Sequence, residues 1–179
     1  MKEYSHEKHF IGHLQSNKIK EVIRYGVSCI HSVDRLDLAQ KLNERLELEK
    51  RSMDILIQIN TSAEQSKFGL RPEEVLPFVQ KVAMLPALRV KGFMTIGIFN
   101  EEPEITRPCF QLLKSIADSI ERKAIPNVET RVLSMGMSRD LEVAIEEGAT
   151  ILRVGTALFG KRIYPDSYYW NETSTPKSN

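Results

Sequence analysis

The stretch LSMGMSRDLEVAIEEGATILRVGTALFG, from Leu133 to Gly160, holds two apolar runs, each ending in a glycine beside a small hydroxyl residue. The first is MGMS at 135–138 and the second is VGTA at 154–157. Between them, SRDLEVAIEEG (138–148) has the apolar spacing of a short helix closed by Gly148. The segment therefore reads as strand, turn, helix, strand, turn. The same alternation continues back to the N-terminus.

Working outward, TRVLSMG (130–136) and ATILRVGTALFG (149–160) supply two strands, the latter with its exit turn. HFIGHL (9–14), VSCIHSV (27–33), DILIQIN (54–60) and LRVKGFMTIG (88–97) supply four more, being short, apolar and bounded by polar residues. The intervening segments suit helices. SNKIKEVIRYG (16–26) closes on Gly26, and DRLDLAQKLNERLELEK (34–50) offers Asp34 as an N-cap. RPEEVLPFVQKVAML (71–85) contains Pro77, which is expected to kink or shorten it. FQLLKSIADSIERKA (110–124) follows a loop containing Pro103 and Pro108.

Alternating strands and helices imply βα units and a parallel sheet. Two architectures compete, an open doubly wound sheet and a barrel. In barrels a phosphate site is often built by the loops after strands seven and eight. The two glycine–hydroxyl turns follow the last two strands of this chain, and only four candidate strands precede them. A barrel would then lack its first two strands. The length agrees, since 179 residues fall short of the roughly 250 of a typical barrel.

The turns suggest chemistry. A phosphate dianion needs converging backbone N–H donors and hydroxyls, and glycine removes the side chain that would block its approach. Ser138 begins the helix 138–148, where its hydroxyl can cap that helix or donate to a ligand. Gly155 and Thr156 end the last strand and form either a plain turn or the second half of a phosphate clasp. Arg153 lies on the same side of that strand as Gly155 by alternation. A charge there needs a partner: a structural ion pair with Glu142 or Glu146, or a ligand near the phosphate site. Lys67, in the loop after the third visible strand, is the most interesting of the lysines.

Bulk properties exclude other classes. The net charge of +1 gives no electrostatic reason to expect nucleic acid or an anionic membrane. No apolar run suits a membrane span or a signal peptide, so a cytoplasmic protein is expected. Cys29 and Cys109 lack CxxC spacing and read as free thiols. His9, His13 and His31 sit in or beside the first two strands. No carboxylate or cysteine partner stands at ligand spacing, so no metal is expected. The Asn171–Thr173 sequon requires secretion and is set aside.

HFIGHLQSNK (9–18), IHSVDRL (30–36), ILIQINTSAEQSKFGL (55–70), KGFMTIG (91–97) and LSMGMSRDLEVAIEEGATILRVGTALFG (133–160) together resemble the pyridoxal phosphate homeostasis protein family. That family is similar to the N-terminal barrel domain of alanine racemase. The resemblance implies a (β/α)8 TIM-type barrel, truncated so that strands 3–8 are present and the first two βα units are missing. Residues 1–163 would form this incomplete barrel and 164–179 a polar, disordered tail. It implies pyridoxal 5′-phosphate as cofactor, with Ser138, Gly155 and Thr156 at its phosphate and Arg153 near the pyridine nitrogen.

The family's Schiff-base lysine lies in an AVSKT-like first strand that has no counterpart in these 179 residues. No catalytic residue is therefore assigned, and Lys67 is not taken as a surrogate. The implied function is vitamin B6 homeostasis without substrate turnover, in a truncated isoform or fragment. Its partners would be the cofactor and cofactor-requiring apo-enzymes, with self-association through exposed strand edges. A racemase-like enzyme and a fragment that has lost cofactor binding are the alternatives. A racemase needs acid–base groups on both faces of its ligand, and the lysine of that pair is missing here.

Overall fold

The computed structural model describes residues 6–160 apart from 65, 99 and 101, so the expected tail at 164–179 lies outside the described residues. Six strands form one sheet: β1 (His9–Phe10), β2 (Cys29–Val33), β3 (Met53–Gln58), β4 (Leu88–Met94), β5 (Val128–Met137) and β6 (Ile151–Arg153). Each pairs in parallel with the next in chain order. A doubly wound sheet reverses its strand order at a switch point. This sheet never reverses, so the chain winds as a barrel does, and the doubly wound alternative is excluded. Among the described residues, β1 and β6 form the two ends of this half-barrel.

Helices α1 (Ile19–Arg24), α2 (Leu36–Leu48), α3 (Val75–Val82), α4 (Arg107–Glu121), α5 (Leu141–Glu146) and α6 (Thr156–Phe159) follow the strands in turn. The first five cover one face of the sheet. In α2 the apolar positions Leu38, Leu42 and Leu46 recur every fourth residue and are fully buried, as a helix with one apolar stripe requires. They join Ile55, Ile57 and Ile59 from alternate positions of the β3 run, together with Phe110, Leu113 and Ala117 of α4. Asn43 is buried in this layer without penalty: the Ala87 N–H donates to its Oδ1 at 2.9 Å, and its Nδ2 donates to Glu47 at 2.7 Å.

Several local expectations are corrected. Asp34 does not cap α2; Arg35 holds that position, and Asp34 instead accepts from the Gly69 amide at 3.1 Å. Ser138 does not cap α5, which starts at Leu141 with Asp140 as N-cap. The Asp140 carboxylate accepts from the Met137 amide at 2.6 Å, tying the turn to its helix. Pro77 is the third residue of α3, behind a 3-10 turn at Pro72–Glu74. It lies in the first helical turn, so the helix starts late rather than kinking. Pro108 belongs to the first turn of α4 rather than to a loop, the position where proline fits best. Most strands are shorter than the apolar runs that encode them, β1 most of all, whereas β5 extends beyond its run at both ends.

The other face of the sheet carries a separate small cluster, Cys29, Leu56 and Met94 with Val132 against it. Toward the strand N-termini this cluster is flanked by exposed ion pairs, Arg89–Asp54 and Lys91–Glu129, each at 2.5 Å. Toward the strand C-termini it gives way to polar groups: His31, Gln58, Thr95 and Ser134, all buried. His31 is only 1% exposed. Burial disfavours its imidazolium, and His9 and Arg153 add positive field, so its pKa falls to about 4.

Two predictions follow from this packing. The backbone of Gly136 has a φ of +86°, and a Cβ there would lie 2.4 Å from the Ala144 Cβ of α5. A Cβ on Gly155 would meet nothing within 4 Å. Gly136→Ala therefore loses about 2–4 kcal/mol from overpacking and left-handed backbone strain, whereas Gly155→Ala stays within about 0.5 kcal/mol. Urea midpoints of the two variants check this. For His31, the unfolded chain binds a proton near pH 6.5 that the folded chain binds only near pH 4. Its contribution is complete above pH 6.5 and declines as pH falls to 4, by about 3 kcal/mol. The slope of stability against pH in this window should flatten in His31→Gln; an unchanged slope would contradict the assignment.

Candidate functional site

In parallel barrels the chemistry sits where strands end at their C-termini. Here two strand exits converge there. β5 ends at Met137 and turns through Ser138 into α5. β6 ends at Arg153 and turns through Gly155 into α6. The two turns touch: the Ala157 N–H donates to Ser138 Oγ at 3.3 Å. The two look-alike turns of the sequence are thus neighbours in space, and Ser138 belongs to both.

The glycines of the two turns differ in what demands them. Gly136 is required by its own backbone conformation and by the approach of α5. Gly155 has a negative φ and open space where its side chain would be. Neither the backbone nor packing explains a glycine at 155, so the opening it leaves is available to a ligand. Being four residues long, α6 leaves its first amides without helical acceptors. The Ser138 hydroxyl and the start of α6 therefore share one small region, where donors suited to an anion can gather.

Arg153 does not form the ion pair that Glu142 or Glu146 could have supplied. Arg107 engages Glu146 at 2.6 Å and Glu147 at 2.7 Å, fastening the start of α4 to the end of α5. Arg153 instead donates from Nη1 to Ser134 Oγ at 2.9 Å and from Nη2 to the Thr95 carbonyl at 2.8 Å. Burial lowers its pKa to about 10, against the opposing field of Asp140. The guanidinium stays charged at neutral pH, and it is held by two neutral acceptors rather than by a carboxylate.

From Ser134 the hydrogen bonds continue across the sheet. Ser134 Oγ lies 3.0 Å from His31 Nδ1, His31 Nε2 lies 2.9 Å from His9 Nδ1, and His9 Nε2 lies 3.4 Å from Glu7 Oε2. The carboxylate end dictates one direction, and the guanidinium end is compatible with it. A guanidinium can only donate and a carboxylate can only accept. With neutral rings, His9 carries its hydrogen on Nε2 toward Glu7 and accepts at Nδ1. His31 then donates from Nε2 and accepts at Nδ1, which receives the Ser134 hydroxyl proton. Thr95 extends the polar layer sideways: its hydroxyl donates to the Ile59 carbonyl and meets the Thr61 hydroxyl, both at 2.8 Å.

The histidines separate into two environments. His13 stacks on Phe68 at 3.9 Å and meets Arg35 at 3.3 Å, away from the other two. His9 and His31 are joined by Cys29, whose sulfur lies within 4.8 Å of their ring nitrogens. The expectation that no cysteine stands at ligand spacing is therefore corrected. Cys29 and His31 are two apart in one strand and share a face, and β1 pairs His9 directly with Cys29. The first relation was legible in the sequence; the second needed the sheet register. Ser134 and Thr95 were missed as well, because a serine in a strand and a threonine just beyond one carry no signal until the arginine that binds them is placed. Lys67 is occupied by Glu64 at 2.7 Å and the Gly97 carbonyl at 2.8 Å.

Comparison with known proteins bears on this geometry. Residues 3–163 match the family model of the alanine racemase N-terminal domain. A pyridoxal phosphate homeostasis protein of Aquifex aeolicus is 44% identical over 164 residues, covering 92% of this chain and 71% of its own length. The structure of PipY from Synechococcus elongatus with PLP bound superposes with a TM-score of 0.77 at 30% identity, covering 86% of this chain and 70% of PipY. An alanine racemase of Clostridium difficile, at 18% identity and a TM-score of 0.70, shares the fold, with 87% of this chain matched to 42% of the enzyme. The chain spans about two thirds of the length of the curated relatives. With the barrel winding, the two adjoining turns and these matches in agreement, the chain belongs to the alanine racemase N-terminal domain family, among the pyridoxal phosphate homeostasis proteins.

Proposed function

We propose that this chain binds pyridoxal 5′-phosphate at the exits of β5 and β6 and serves the handling of that cofactor without turning over a substrate. The observation that carries the reading is the contact between Ser138 Oγ and the Ala157 amide, which makes one donor set from two turns. The relatives' names and the PLP-bound PipY structure support it. The residues fit the group. Ser138, Gly155 and Thr156 face the anion with hydroxyls and amides, and the open space at Gly155 admits it. Arg153 reaches the same region from the last residue of β6 and is the donor for the pyridine nitrogen.

The cofactor, when bound, supplies an electrophilic aldehyde and an electron-withdrawing ring. The protein's part is to hold and orient it. Ser134 and the Thr95 carbonyl fix the guanidinium of Arg153, so its charge stands at one place. A permanently charged donor at the ring nitrogen disfavours protonation there, which weakens the ring as an electron sink and suits carriage better than chemistry. No residue of this chain is assigned a catalytic role. We read residues 1–163 as one domain whose six strands correspond to strands 3–8 of an eight-stranded barrel. Cytoplasmic location and delivery to cofactor-requiring apo-enzymes complete the proposal. Among the described residues no helix is long and apolar enough to cross a membrane.

The expected outcome is a rise in melting temperature of about 5–10 °C at a hundred-fold excess of pyridoxal 5′-phosphate over its Kd. Pyridoxal, which lacks the phosphate, should protect far less. Ser138→Ala should weaken binding about ten-fold through loss of one charge-assisted hydrogen bond, and Gly155→Val should weaken it further by filling the opening. Absence of any thermal shift would sink the reading, and racemisation of L-alanine would replace it with the enzymatic one.

The sheet ends supply a second test. β1 and β6 leave their outer hydrogen-bonding edges available among the described residues, and Ile11, Leu158 and Phe159 beside them are exposed. Such edges pair with other chains. Sedimentation should therefore find the chain self-associated, and addition of a segment supplying two further βα units should return it to a single species. A monodisperse monomer would count against the assignment to strands 3–8.

A further inference from the structure

The geometry points to a site for a borderline-soft divalent metal, of which zinc is the best match, formed by His9, Cys29 and His31 on the inner face of β1 and β2. It is separate from the phosphate turns and does not depend on cofactor binding. The three ligand atoms, two imidazole nitrogens and a sulfur, lie within 4.8 Å of one another. His9 Nδ1 and His31 Nε2 already face each other at 2.9 Å. Tetrahedral zinc, with bonds of about 2.0 Å to nitrogen and about 2.3 Å to sulfur, needs about 3.3 Å between the nitrogens and about 3.6 Å from nitrogen to sulfur. The rings must part by about 0.4 Å, and the sulfur, within 4.8 Å of the nitrogens, must settle at about 3.6 Å from them. Two nitrogens and a thiolate select zinc or copper over magnesium or calcium, which prefer oxygen.

What distinguishes this cluster from a chance meeting of three residues is its surroundings. A metal-binding histidine normally donates its other ring N–H to a carboxylate or similar acceptor, which fixes the ring and its tautomer. Both histidines have such a partner on the side away from the cluster. His9 Nε2 faces the Glu7 carboxylate, and His31 Nδ1 faces Ser134 Oγ. His9 already presents a lone pair inward when its proton points at Glu7.

His31 must move its proton from Nε2 to Nδ1, and Ser134 accepts it there by rotating its hydroxyl while still accepting from Arg153. The Cys29 thiol gives up its proton to solvent as the metal–sulfur bond forms. The fourth position is left to water, reached beside His9, whose side chain is 30% exposed.

Titration of cobalt(II) into the purified chain without cofactor tests this. The expected result is one equivalent bound, with a sulfur-to-cobalt charge-transfer band and the strong visible bands of four-coordinate geometry. Zinc should bleach both by displacement. Cys29→Ser should abolish the sulfur band. His9→Ala should lower affinity by at least about 100-fold, and Glu7→Gln by about ten-fold. Far-ultraviolet circular dichroism establishes that each variant is folded, and partly exposed His9 gives the reading should the buried Cys29 variant not fold. The proposal is overturned if the folded chain has no sulfur band, if the band survives Cys29→Ser and so belongs to Cys109, or if only a weak six-coordinate spectrum appears. Because the titration contains no cofactor, failure of cofactor binding leaves its outcome unchanged.

Discussion

Arg153 can only donate hydrogen bonds, and among the described residues no carboxylate bonds to it, Asp140 acting on it through its field alone. Its burial costs enough to bring its pKa down to about 10, so the interior must answer it with acceptors. Ser134 and the Thr95 carbonyl do so. Ser134 keeps its own proton for His31 while accepting from the guanidinium, and the Glu7 carboxylate, which can only accept, sets the direction through His9. One line of hydrogen bonds thus joins Arg153 on β6, Ser134 on β5, His31 on β2 and His9 on β1. The lower half of the inner face needs no such device, because Cys29, Leu56 and Met94 pack there as apolar groups.

The same line of hydrogen bonds separates two regions of chemistry. On one side lie the turns after β5 and β6, joined where the Ala157 amide meets the Ser138 hydroxyl. On the other lie His9, Cys29 and His31, where two imidazoles share a hydrogen bond beside a thiol. Ser134 stands between them because a hydroxyl can donate to His31 or accept from it while still accepting from Arg153. A residue that could only donate or only accept would lock His31 into one tautomer.

The opening pair of glycines also divides on physical grounds. Gly136 answers to the chain's own demands, a positive φ and the contact with Ala144. Gly155 answers to neither. Identical glycine–hydroxyl signatures in sequence therefore have different causes, one in helix packing and one in room left beside a strand end. Ser138 has a comparable history. Its position suggested an N-cap, but Asp140 takes that role, and the serine hydroxyl is left facing the neighbouring turn.

Much of the fold was legible in the amino-acid order. Alternating apolar runs and amphipathic segments determined six strands, the helices between them and a parallel sheet, because periodicity reports which face each element buries. The positions of Ser138, Gly155, Thr156 and Arg153 at strand ends were legible too, through chain order and family resemblance. Element lengths were not, since β1 keeps only the two residues that find a partner on β2. Tertiary structure alone decided that strand order never reverses, that Ser138 meets Ala157 across 19 residues of chain, and that His9 lies beside Cys29. These are relations between segments, fixed by sheet register and winding, and periodicity within a segment carries no information about which neighbour it will face.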